Sequence, residues 1–216
     1  GLCSKTNPNG EIEMPESQVD DLRIETSRRE TTLTVESTIT KMSIKIEKKI
    51  AITGEKTNKP TFTLSTGKRP ELTLSNTETN KATINAEAKK NRINLTNTTA
   101  NSLTINGNNG KEIINIKGES QLAGNAKINL GKNKDSVLID GIINNLAIDN
   151  GKDNSKDQVI ITGDSLLRKK LKLKNFGRKD RLTIAGDTFK YQELKDRDIQ
   201  DPLKELGIIV NLMDAN

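Results

Sequence analysis

The amino-acid sequence predicts an all-β fold: a parallel β-solenoid with short rungs, an N-terminal arm, and a C-terminal cap containing one short helix. Three observations lead there. An apolar–x–apolar triplet returns about every ten residues between Leu22 and Ile184. The segments between triplets are short, polar and rich in Asn and Gly. Aromatic residues make up 2% of the 216 residues, with no Trp, one Tyr and three Phe, so the interior must be thin and aliphatic.

Residues 1–20 read as a flexible arm, because Asn7-Pro8-Asn9-Gly10 is turn chemistry and Pro15 interrupts a mildly apolar stretch. An arm of this kind suits strand exchange with a neighbouring subunit. Residues 21–187 carry the beat. It runs through Leu33-Thr34-Val35, Phe62-Thr63-Leu64, Leu72-Thr73-Leu74, Ala82-Thr83-Ile84, Ile93-Asn94-Leu95, Leu103-Thr104-Ile105 and Leu182-Thr183-Ile184. Alternate side chains of a strand point to opposite faces, so each triplet sends two apolar groups inward and one polar group outward. The central residue is Thr at 34, 63, 73, 83, 104 and 183, the pattern expected of stacked like side chains. Asn and Gly in the connections tolerate the left-handed backbone of sharp corners. Pro60 and Pro70 each stand ahead of a triplet, at the tolerated start of a strand.

Such short, evenly spaced strands favour a solenoid over an antiparallel sandwich. Two beats per coil would make coils of about 20 residues and a rod of roughly 40 Å with about eight coils. Three beats per coil would give triangular coils, and spacing alone leaves both layouts open.

Residues 188–216 read as a cap or assembly segment. Phe189, Tyr191 and Leu194 concentrate bulk there. Asp201 as cap, Pro202 in the first turn and Gly207 as terminator bracket a short helix, and 206–213 follows as a closing strand.

Lys and Arg number 35 against 29 acids, a net charge of +6. That balance admits an anionic glycan or a cell surface as partner. Nucleic acid is disfavoured, because Arg28-Arg29, Lys48-Lys49, Lys89-Lys90 and Arg168-Lys169-Lys170 have no aromatic beside them for base stacking. Histidine is absent, which removes the commonest general base and neutral metal ligand. The single cysteine, Cys3, rules out an intrachain disulfide and a thiolate cluster. No apolar run is long enough to span a membrane as a helix.

The richest motif text lies in 131–187. Gly131-Lys132-Asn133-Lys134-Asp135 leads into Ser136-Val137-Leu138-Ile139-Asp140-Gly141. Lys156-Asp157 precedes a second apolar strand, and Gly177-Arg178-Lys179-Asp180 precedes a third. This stretch resembles degenerate copies of the nonapeptide repeats of RTX-type secreted bacterial proteins, and more broadly the β-solenoids of secreted bacterial or phage structural proteins. The resemblance implies a parallel β-roll with calcium between coils, near Asp135, Asp157 and Asp180. The departures are chemical: the doubled glycines are missing, and Lys stands immediately before Asp135, Asp157 and Asp180. Adjacent ammonium groups oppose a hard divalent cation, so these aspartates read as structural corners, with no cofactor and no metal.

No nucleophile–base pair, phosphate-cradling glycine loop or metal-ligand spacing is present, so no catalytic residue is assigned and an enzyme is not expected. The function expected is a noncatalytic structural subunit at the cell or virion surface, or extracellular. It would self-assemble through its termini and solenoid edges into a filament, surface layer or fibre. The alternative is a carbohydrate-binding or carbohydrate-cleaving solenoid with a ringed or carboxylate-lined groove, for which Phe62, Phe176, Phe189 and Tyr191 are the available rings.

Overall fold

The computed structural model describes residues 11–14, 18–26, 31–35, 38–54, 56–65, 69–162 and 165–212. Its strands, in chain order, are β1 (Glu11–Met14), β2 (Gln18–Thr26), β3 (Thr31–Val35), β4 (Thr38–Ile46), β5 (Lys49–Thr53), β6 (Lys56–Leu64), β7 (Glu71–Ser75), β8 (Glu78–Ala86), β9 (Lys90–Thr96) and β10 (Thr99–Gly107). They continue with β11 (Lys111–Lys117), β12 (Gln121–Asn129), β13 (Ser136–Ile139), β14 (Ile142–Asp149), β15 (Gln158–Ile161), β16 (Leu166–Phe176), β17 (Arg181–Ile184), β18 (Asp187–Lys190) and β19 (Ile208–Leu212). One helix, α1 (Arg197–Glu205), precedes β19.

Successive strands alternate between two sheets. The odd strands β1 to β17 line up side by side in a ten-stranded sheet closed by β18, and β2 to β16 with β19 form a nine-stranded sheet. Each coil therefore contributes one strand to each sheet, and the stack is a two-sided parallel β-solenoid. Leu72, Ile93, Ile114, Val137, Val159 and Leu182 lie above one another, at steps of 21, 21, 23, 22 and 23 residues. This is the two-beat coil, drawn out slightly by its corners.

The apolar members of the triplets face each other between the sheets. Leu72, Leu74, Ile84, Ile93, Leu95, Ile105, Ile114 and Ile116 are all buried in one continuous core with Phe62 and Phe176. Full burial of such a side chain contributes roughly 1.5–3 kcal/mol each, and every coil adds several.

The outward threonines do not form a single ladder, because consecutive beats fall on opposite sheets. Thr61, Thr83 and Thr104 stack on the nine-stranded sheet, whereas Thr73 and Thr183 belong to the other. Asparagine makes the clearer ladders. Asn129 Nδ2 donates to Asn106 Oδ1 (3.1 Å) and Asn106 Nδ2 to Asn85 Oδ1 (3.0 Å). Asn115 and Asn94 repeat the pattern at 2.8 Å on the other sheet.

Corners use the left-handed backbone as expected. Gly54, Asn76, Asn97 and Gly118 each follow a strand of the ten-stranded sheet with positive φ. At the opposite corner Gly151 stacks on Gly131 so closely that a Cβ would lie 1.7 Å from the Gly131 carbonyl oxygen. Pro70 precedes β7 as expected, but Pro60 sits inside β6 opposite Met42. The paired register between β6 and β8 breaks between Thr57 and Thr61, around the residue that has no N–H to donate.

At the ends, strands begin earlier than an arm over 1–20 implies. Glu11–Met14 pairs with β3, and Gln18–Thr26 pairs with β4. Residues 1–10, Cys3 included, lie outside the described residues. The C-terminal segment folds back as a plug: β18 pairs antiparallel with β17, a 3-10 turn (Glu193–Lys195) and α1 follow, and β19 pairs parallel with β16. Tyr191, Leu194 and Leu203 are buried against the last coil. The helix starts ahead of the expected position. The Asp196 side chain accepts the Asp198 N–H, so Asp196 is the cap, and Pro202 lies inside the helix, where the carbonyl four residues back loses its usual bond. Gly207, at φ 77°, ends it as expected.

Candidate functional site

The three aspartates singled out in sequence come together. Asp135, Asp157 and Asp180 stand immediately before Ser136, Gln158 and Arg181, which stack in register, and Glu112 occupies the same place before Ile113. Asn91 pairs with Glu112 one coil further up. These five form a column at one corner of five successive coils. The four acids are 0–3% exposed.

What holds them inside is the backbone. Asp135 Oδ1 accepts the Glu112 N–H (2.7 Å), Asp157 Oδ1 the Asp135 N–H (2.9 Å), and Asp180 Oδ1 the Asp157 N–H (2.9 Å). Each carboxyl thus satisfies the peptide donor of its counterpart one coil back, a donor that the corner would otherwise bury unpaired. Asp180, lowest in the column, also accepts from the Gly177 N–H (2.7 Å) and Asn150 Nδ2 (3.1 Å). At the top, Asn91 Nδ2 donates to Glu112 Oε1 (3.0 Å) and to the Ala88 carbonyl (2.8 Å).

Burial raises the pKa of all four acids. It pushes Asp135 up to about 9, against the opposing donation from the Glu112 N–H and with added repulsion from the Glu112 carboxyl. It pushes Asp157 up to about 7, and Glu112 and Asp180 also above the ordinary carboxylate range. Glu112 and Asp135 are within hydrogen-bond reach of one another, and their second oxygens, Oε2 and Oδ2, have no other partner. One proton shared between them would satisfy both oxygens and remove one of two adjacent buried charges. Among the described residues no three His, Cys, Asp or Glu side chains converge as metal ligands would. The column is a seam of buried carboxyls that ties successive coils together through their backbone donors.

The facing corner does the same work mainly with hydroxyls. Thr77 Oγ1 donates to Thr98 Oγ1 (3.2 Å), the Thr98 N–H donates to Ser120 Oγ (3.1 Å), and Ser120 Oγ donates to the Lys117 carbonyl (2.6 Å). Thr162 Oγ1 donates to Asp140 Oδ1 (2.8 Å) and lies 3.1 Å from Ser165 Oγ further along.

A second feature lies on the outer face of the nine-stranded sheet. Lys81, Ser102, Asn125, Asn145 and Lys170 form one column of register, and Thr104, Lys127, Ala147 and Lys172 the next. They line a shallow groove with four lysines and no acid. Nearer the N-terminal end the same face carries two ion pairs, Lys45 on Glu25 (2.6 Å) and Arg23 on Asp21 (3.2 Å), beside the exposed Lys41 and Lys59. On the other sheet Lys90, Arg92 and Lys111 gather around Glu71, which lies 4.0 Å from Arg92.

The rings available for a sugar-stacking groove are placed elsewhere. Phe62 and Phe176 are core, Tyr191 is buried under the cap, and Phe189 packs partly buried against the core. Of the basic clusters, Lys170 joins the lysine groove, Lys90 lies by Glu71, and Arg28-Arg29 fall outside the described residues. No helix among the described residues is long and apolar enough to cross a membrane. Comparison of the chain with protein-family models, curated proteins and solved structures found no match.

Proposed function

We propose that the protein is a noncatalytic structural element: a stiff β-solenoid rod at a cell or particle surface that associates end to end with copies of itself. The observation that carries this reading is how the carboxyls are used. The three buried aspartates are committed to neighbouring coils' backbone donors, and the outer faces carry Asn ladders, stacked Thr and lysines rather than converging acid, base and nucleophile. Such a molecule invests its polar chemistry in holding its own shape.

The ends supply the contacts. Within the described residues β1 and β2 each pair on one side only, which leaves strand edges able to accept another chain. At the other end Leu206, 63% exposed, is the large apolar side chain left in solvent among the described residues. Sedimentation velocity over a concentration series tests the reading. The parent chain should form end-to-end oligomers visible as rods in negative stain, and Leu206→Asp should shorten them. A chain that stays monomeric at every concentration contradicts the proposal.

A further inference from the structure

From the lysine face we infer a binding site for a linear anionic polysaccharide that runs along the rod axis. The site is Lys81, Lys127, Lys170 and Lys172, with Ser102 and Asn145 between them. It stands apart from the assembly proposal, because it lies on the flank of the rod and not at its ends.

Charge comes first. A groove holding four ammonium groups and no carboxylate is a local excess of positive charge, and the exposed Lys41 and Lys59 add two more cations further along the same face. The acid nearest in register is Asp149, opposite Lys174, and its Oδ1 already accepts from the Gly151 N–H and Asn175 Nδ2. The field there is positive and turned outward.

Shape selects a linear ligand. Lys81 and Lys170 share one column with three coils between them, so four rung steps separate them by roughly 19 Å. Lys127 and Lys172 share the neighbouring column, two steps or about 10 Å apart. The cations follow the axis of the stack, as repeating anionic groups on an extended polymer would require.

The surface between the lysines then separates polysaccharide from other polyanions. Ser102, Thr104, Asn125 and Asn145 offer hydroxyls and amides that can donate to and accept from sugar hydroxyls. Single-stranded nucleic acid draws affinity from base stacking, and this groove has no aromatic ring. An anionic membrane surface rewards inserted apolar groups as well as charge, and the groove's apolar lining is only Ala126, Leu146 and Ala147 on a flat sheet.

The test uses the full chain with immobilised polyuronate and sulfated polysaccharide, beside a neutral polysaccharide, oligo-dT and vesicles rich in anionic lipid. The double variant Lys170→Gln/Lys172→Gln is compared with Lys90→Gln/Lys111→Gln, which removes the same charge from the other sheet. The expected result is binding to one or both acidic polysaccharides, weakened about tenfold or more in the first variant and little in the second. The dependence on salt should also fall by about half, as two of four cation contacts are lost. Whichever of the two polysaccharides binds more tightly identifies carboxylate or sulfate as the preferred anion. Equal loss in both variants would overturn the inference in favour of bulk charge. Tighter binding to oligo-dT or to vesicles, or equal binding to the neutral polymer, would overturn it as well.

Discussion

The two corners of each coil meet the same demand with different chemistry. At one, Thr98 and Ser120 satisfy buried backbone groups with hydroxyls, which accept as well as donate, and Thr77 donates to Thr98. At the other, Asp135, Asp157 and Asp180 satisfy them with carboxyls, which accept strongly when ionised but repel one another when stacked. The hydroxyls of Thr77, Thr98 and Ser120 carry no charge to gain or lose with pH. The carboxyl corner is stable to the extent that it keeps its protons. Stacking thus turns a local choice of side chain into a property of the whole rod, because a charge placed in one coil lies beside an equivalent group in the next.

The largest expected effect comes from breaking the carboxyl corner at its most connected point. Asp180→Ala strands three buried donors, on Asp157, Gly177 and Asn150. At roughly 1–3 kcal/mol for each unsatisfied group, the variant should lose about 3–9 kcal/mol in chemical denaturation. A loss under about 1 kcal/mol would mean the column is ornamental.

Next in size is the pH effect. The folded-state values of these acids are raised above those of the unfolded chain, so the folded protein holds more protons wherever the two differ. Their contribution is therefore complete below about pH 4, shrinks as pH rises, and is gone once pH passes the folded values near 7 and 9. The melting temperature should fall by about 5–8 °C or more between pH 5 and pH 9, equivalent to about 2 kcal/mol in a chain of this size. Glu112→Gln sharpens the comparison: its amide can donate to Asp135 Oδ2 without titrating, so the variant should equal or exceed the parent at pH 8 and show a shallower slope.

The smallest effect belongs to the hydroxyl corner. Thr98→Val removes an acceptor for Thr77 and the one O–H donor that faces the Leu74 and Thr96 carbonyls, and should cost about 1–2 kcal/mol. The loss should be the same at pH 5 and pH 9. A pH-dependent loss would collapse the distinction between the corners.

Legibility in sequence divides along physical lines. Leu72-Thr73-Leu74 and its relatives announce strands because alternation is a local property, and Asn76 and Asn97 announce corners because left-handed backbone selects them. Asp135, Asp157 and Asp180 are readable as corner residues from the apolar strands that follow them. Glu112 is not, since Lys111-Glu112-Ile113 reads as an ordinary strand start, and only the coil-to-coil register reveals its place beside Asp135. The lysine groove was hidden for the same reason: Lys81, Lys127 and Lys172 are far apart in the chain and meet only through a coil length that itself varies between steps. The helix start was misplaced because Asp196 and Asp201 are equally good caps in isolation, and Asp196 is the one followed by a free N–H at the right distance.

The most direct test is a carboxyl carbon-13 NMR titration of the folded protein, following Glu112 and Asp135. The account predicts that the Asp135 carboxyl stays protonated past pH 7 and that the Glu112 signal moves in concert with it. Midpoints of about 4 for both, with the fold intact, would contradict it.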